Sequence, residues 1–370
     1  MAKNLVNEIF LLRAFACLAV VVIHSINSVF ANFGIRKVPE YMEINNVLFV
    51  IQILLMFGTP MFVFISEFIL ANAYKGDAPK GFFLKRIKFI LVPFLIIGLF
   101  SSLLAIFQHD HVSTGTVLTT IYEQFLLGYF HGYFVLIIFQ FYILHFIFRK
   151  YIEGRFQAKN IVMVSIMINV CYLAYYNFVE PVTKFPFHML FLAWIGYFAI
   201  AFYCGSNFNK FKLQLIKYKK VIFAAPAVTG LIVLIFCYSG FLTFIQSKRV
   251  DIVFYTIALA LFLFYIGMKL EKVPGFLIKI SQYSFGIYLL HPFFQLILKN
   301  LFPDHYSLSN LVIYIITATT IGLIGPILSI ITLNKFKFGP YIIGKIGIGS
   351  SPNKVKQLSK EKVYKNTLSS

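Results

Sequence analysis

Apolar residues run through this chain in long blocks separated by short polar stretches. Ten blocks can be drawn, at 9–30, 44–73, 89–107, 117–148 (core 129–148), 160–178, 187–204, 221–239, 250–268, 281–301 and 308–333. About 20 apolar residues cross a bilayer as one α-helix. The pattern therefore predicts an all-α, polytopic integral membrane protein with about ten transmembrane helices. Residues 1–340 read as one transmembrane domain. Residues 341–370 are mostly polar and basic and read as a disordered cytoplasmic tail. Gly58-Thr59-Pro60 predicts a kink within the second block.

Composition agrees. Of 370 residues, 59% are hydrophobic and only 12% charged, against about 25% charged in soluble domains. The net charge of +20 changes meaning once its placement is traced. Of the 33 lysines and arginines, 26 fall at the N-terminus, in alternate loops and after the last block, and six fall in the other loops. Basic loops stay cytoplasmic. This asymmetry predicts a multi-pass cell-membrane protein with both termini cytoplasmic, and it removes the need for a nucleic-acid partner. Arg13 and His24 interrupt the first block, which reads as a retained helix rather than a cleaved signal.

The four cysteines (17, 171, 204, 237) lie inside apolar blocks without metal spacing. His109-Asp110-His111 is a weak metal signal on a loop, and no metal is expected.

Candidate chemistry lies in the polar residues inside the blocks, where each charge costs roughly 2.5–3.5 kcal/mol on insertion scales. Arg13 and His24 are 11 positions apart, close to three helical turns, and share a face. Glu67, at the inner end of the second block, is expected at the depth of Arg13 and reads as its partner, in a structural pair or a catalytic one. Lys85, Arg86 and Lys88 cluster at one interface, either as snorkelling anchors or as a clamp for donor phosphates. Gln140 offers an interhelical hydrogen bond. His291, followed by Pro292, adds a second intramembrane imidazole.

Five runs in this order resemble the membrane-bound acyltransferase 3 family, nearest its intercellular adhesion polysaccharide branch. They are Arg13 with LAVVVIH ending at His24, FGTPMFVFISEFIL, KRIKFILVPF, GYFVLIIFQFYIL and SQYSFGIYLLHPF. The likeness covers nearly all of residues 7–340. One departure is Ser66-Glu67, where many relatives carry Ser-Gly.

The resemblance implies O-acylation. An acyl group, acetyl or succinyl, would pass from cytoplasmic acyl-CoA, the donor substrate, to a hydroxyl of an extracytoplasmic or cell-surface polysaccharide. His24 would serve as base or transient acyl carrier, with Arg13 and Glu67 assisting. Lys85, Arg86 and Lys88 would bind the donor. A glycan synthase or export complex is an expected partner. The rival expectation is an exporter of a polysaccharide or lipid-linked glycan.

Overall fold

The computed structural model describes residues 2–33, 42–108, 112–179, 186–298 and 308–347. Among them every regular element is helical. The chain begins with α1 (Ala2–Phe33), α2 (Met42–Leu55) and α3 (Gly58–Ala73). Then come α4 (Phe82–Arg86), a π-helical turn (Ile87–Leu91) and α5 (Val92–Ile106), which form one continuous rod. Next are α6 (Thr114–Phe125), α7 (Phe134–Tyr151), α8 (Ala158–Phe178) and α9 (Ile195–Ser206). The remainder is α10 (Phe208–Lys217), α11 (Lys219–Tyr238), α12 (Val250–Lys269), α13 (Gly275–Ile297), α14 (Leu308–Leu333) and α15 (Gly339–Ile343).

The first apolar block forms the axis of the bundle. In α1, 72% of the apolar stretch is buried, more than in the other seven helical runs long and apolar enough to span, among which α8 and α11 bury only 17% and 22%. The outer helices turn large apolar side chains outward, among them Leu99 and Phe100 on α5, Met167 on α8 and Leu231 on α11. In water such faces would be costly; in lipid they are solvated.

Packing against α1 is close where side chains are small. A Cβ on Gly58 would lie 3.0 Å from both the Ala16 carbonyl oxygen and Val20 Cγ2. The glycine thus lets α3 start directly against α1. The expected kink is a break: α2 ends at Leu55 and α3 starts at Gly58, because Pro60 cannot donate a helical hydrogen bond.

Each of the ten expected blocks holds helix, and two finer expectations change. Eight helical runs among the described residues are long and apolar enough to span a membrane, or nine if α9 and α10, bent by 103°, count as one. The expected ninth block is present as the 23-residue α13 but is not among these runs. It buries Ser281, Ser284, His291 and Gln295 and is recognised by enclosure rather than by apolarity. The block 117–148 is two helices, α6 and α7, divided at Gly128 with φ +75; a Cβ there would also sit 2.8 Å from Met189 Sδ. Finally, residues 341–347 pack onto the domain. Ile343 is buried and the Gly347 amide donates to the Gln282 carbonyl at 2.8 Å. Residues 348–370 lie outside the described residues, as does His109-Asp110-His111.

Candidate functional site

Two cavities open along α1. The larger, about 520 Å³, is lined by Arg13, Ser66, Lys85, Arg86, Tyr142 and Lys345 on an apolar floor that includes Phe62, Ile69 and Phe285. Among the described residues no carboxylate lines it. Its size suits a small-molecule site, and its charge suits an anion.

The positions of these cations follow from local structure. Arg86 ends α4, and its guanidinium lies over the Phe82 ring at 4.8 Å and the Tyr142 ring at 5.2 Å. Its Nε is buried without a hydrogen-bond partner among the described residues. Lys345, beyond α15, lies 3.7 Å from the Phe89 ring centroid. Lys85 joins Arg86 in the lining. Lys88, on the π-helical turn, is not part of the lining, so the three-residue cluster reduces to two.

The smaller cavity, about 270 Å³, is lined by His24, Thr59, His131, Gln246, Ser247 and Lys248 among others. Arg13 and His24 are about 16 Å apart along the axis of α1 at 1.5 Å per residue. One helix therefore supplies a polar group to each cavity. Phe134 and Tyr288 line both cavities and form their common wall. The Tyr288 hydroxyl donates to the His131 carbonyl oxygen.

Around His24 stand two further imidazoles. The His24 and His291 ring centroids are 4.8 Å apart at 72°, those of His131 and His291 5.6 Å, and those of His24 and His131 6.3 Å. His131 Nε2 hydrogen-bonds the Leu289 carbonyl at 3.1 Å. Among the described residues no group of three or more His, Cys, Asp and Glu has metal-binding geometry.

The expected Arg13–Glu67 pair is not formed. Glu67 Oε1 lies 2.6 Å from His145 Nδ1, and both side chains are fully buried. Successive helical residues point about 100° apart. Ser66 therefore faces the large cavity while Glu67 turns toward α7. The other ion pairs among the described residues are Arg149–Glu153, Lys212–Glu8 and Arg249–Asp251; none includes Arg13, which faces the cavity.

Gln140 lines neither cavity. It donates to the Met189 carbonyl at 2.8 Å and accepts from the Phe191 amide at 3.0 Å, pinning the segment before α9.

Sequence reasoning missed His131, Tyr288 and Lys248. Lys248 counted only as a loop charge, yet it borders the small cavity, and burial pushes its ammonium down to about 8. Its loop is held by Arg249, which is fully buried, bonds both Asp251 carboxylate oxygens at 3.0 and 2.5 Å, and donates to the Leu242 carbonyl at 2.8 Å. An arginine adjoining an acidic helix start was the available signal.

Comparison with known proteins adds independent information. The chain is 35% identical over 353 residues, 92% of its length and 95% of the relative's, to a putative membrane-bound acyltransferase, YfiQ, of Bacillus subtilis (strain 168). It is 26% identical over 354 residues to a probable poly-beta-1,6-N-acetyl-D-glucosamine export protein of Staphylococcus aureus (strain Mu50), covering 93% of this chain and 97% of that one. The counterpart of that name from Staphylococcus epidermidis is 27% identical over 357 residues, covering 93% and 96%. No solved structure matches. The model of the acyltransferase 3 family, an acyltransferase domain, matches residues 6–331. That span holds both Arg13 and His24 and all the helices from α2 to α13, and this multi-pass membrane protein belongs to the acyltransferase 3 family.

Proposed function

We propose that the protein moves an acyl group, acetyl or succinyl, from a cytoplasmic acyl-CoA to a hydroxyl of an extracytoplasmic or cell-surface polysaccharide. The observation that carries this reading is the pair of cavities sharing Phe134 and Tyr288 as a wall. The donor's phosphates meet Arg86, Lys85 and Lys345 in the large cavity, where charge-assisted hydrogen bonds are strong. Both chain termini lie on that side, in keeping with the basic loops. The acyl thioester reaches toward the common wall, and the acceptor hydroxyl enters the small cavity beside His24.

The chemistry balances without a metal. The hydroxyl oxygen attacks the thioester carbonyl carbon while an imidazole nitrogen of His24 takes its proton. The carbon–sulfur bond breaks, and the departing thiolate is protonated to free CoA. In the covalent variant His24 first carries the acyl group and then yields it to the hydroxyl. Arg13, without a carboxylate partner among the described residues, is free to hold the donor or steady the developing oxyanion. Glu67 is held in its buried pair with His145 and acts through packing.

The names of the staphylococcal relatives favour a second reading, export of a polysaccharide or lipid-linked glycan. The test compares surface polysaccharide by mass spectrometry in cells with the wild-type protein, His24→Ala, or none. Enzyme function gives normal polysaccharide export with the acyl mass missing in the variant and the deletion. Loss of surface polysaccharide, with no acyl mass in wild type, selects export instead.

A further inference from the structure

The reading of His24 as base or acyl carrier leaves one requirement unmet: something must fix which ring nitrogen holds the lone pair. We propose that His291 does this, as a positioning residue that accepts the N–H of His24 on its own Nε2 and turns the other His24 nitrogen, bare, toward the small cavity. The inference rests on the acyltransfer reading and deepens it.

The argument starts from the dipeptide His291-Pro292. In an α-helix the Tyr288 carbonyl would accept from the amide of residue 292, but proline has none. The His291 side chain fills the gap. Its Nδ1 lies 3.0 Å from the Tyr288 carbonyl oxygen and 2.9 Å from that of Ile287. Carbonyl oxygens only accept, so Nδ1 carries the hydrogen of the neutral ring and Nε2 carries a lone pair. That Nε2 is buried without a hydrogen-bond partner among the described residues. A bare acceptor in a fully buried side chain is costly unless something donates to it.

The nearest imidazole is that of His24, at 4.8 Å between centroids and tilted by 72°. The two rings are adjacent without a hydrogen bond between them, and a turn of the His24 ring about its side-chain bonds carries an N–H to that Nε2. His131 is less suited to supply the hydrogen. Its Nε2 already donates to the Leu289 carbonyl, so its other nitrogen is bare in the neutral ring. With His291 fixed by backbone carbonyls, His24 can hydrogen-bond it in only one tautomer. The remaining nitrogen faces the cavity with its lone pair ready. The hydrogen that proline lacks and the carbonyl oxygen it frees thereby set the protonation pattern of a residue on another helix.

The experiment uses membranes from a deletion strain, carrying that strain's own surface polysaccharide and either wild-type protein, His291→Leu or His291→Gln. Acetyl-CoA and succinyl-CoA are supplied as alternative donors. Leucine fills the space and lacks an acceptor; glutamine restores an acceptor oxygen. The expected result is a fall in kcat on the order of a hundredfold for leucine, an unchanged donor KM, and recovery of most of the rate with glutamine. Thermal unfolding is followed for both variants. Leucine at wild-type kcat, or equal losses in the two variants, overturns the role of His291. Absence of turnover with both donors in wild type overturns the acyltransfer reading itself, a separate outcome.

Discussion

At the scale of single residues, the site depends on side chains whose surroundings permit little else. His24 borders the small cavity, and the base role proposed for it predicts that His24→Ala lowers acylation by about 100- to 10,000-fold. Donor affinity, measured by equilibrium binding of acyl-CoA, should stay unchanged. A retained rate would move the base to His131. Arg86 and Lys88 give a sharper contrast. Arg86 faces the large cavity, whereas Lys88 is exposed outside it. A lost charge-assisted hydrogen bond is worth about 1.5–3 kcal/mol, so Arg86→Gln should weaken acyl-CoA binding about 10- to 100-fold. Lys88→Gln should leave it unchanged, and an equal effect of both would reduce the cluster to an orientation signal. Lys248 supplies a pH signature. Its folded-state value of about 8 lies below the unperturbed value near 10.4. Between them the unfolded chain binds more protons, so stability rises with pH across that window. Lys248→Met lacks this contribution. Its melting-temperature advantage over wild type should shrink as pH rises from 8 to about 10.4, and a constant difference would contradict the burial of the ammonium.

At the scale of elements, the helices were legible in the chain because apolarity over twenty residues has one solution in lipid. Their rotation was not. Glu67 was recognised as an intramembrane carboxylate needing a partner, but Ser66 and Glu67 differ by 100° of helix, and that angle sent Glu67 to His145 instead of Arg13. His131 escaped notice for a related reason. It sits in a short 3-10 turn, His131–Tyr133, ahead of α7, and its neighbours His24 and His291 are far away in sequence. Alone, Glu67 would be a buried carboxylate without compensation, and His145 a buried imidazole with both nitrogens unpaired. Each of Glu67→Gln and His145→Gln should therefore destabilise the folded protein, and the double variant should lose less than the sum. The coupling should exceed the roughly 0.3–0.5 kcal/mol tolerance of independent sites. Denaturant unfolding in detergent measures it, and strict additivity would remove the pair from the account. Arg13→Gln combined with Glu67→Gln should be additive, the reverse of what depth alone suggested.

At the scale of the whole molecule, membrane orientation and site polarity follow from one distribution of charge. The basic loops expected to set orientation also carry Lys85 and Arg86, which line the large cavity, so the proposed reading puts the anionic donor on the side that retains lysine and arginine. On the proposed reading the small cavity, bordered by His24, Gly128 and Lys248, opens on the opposite side, toward the polysaccharide acceptor. A single rod, Phe82–Ile106, separates the exposed loop at Asp77 from the exposed turn at Ser113. At 1.5 Å per residue its 25 residues extend roughly 37 Å, more than the ~30 Å hydrocarbon core. Asp77 and Ser113 must therefore lie on opposite sides. In a variant with Cys17, Cys171, Cys204 and Cys237 replaced by serine, Ser113→Cys should react with a membrane-impermeant maleimide in intact cells. Asp77→Cys should react only after permeabilisation. Labelling of both in intact cells would break the rod as a span, and the inverse pattern would put the basic cavity outside, where no acyl-CoA is made, and end the assignment of donor and acceptor sides together.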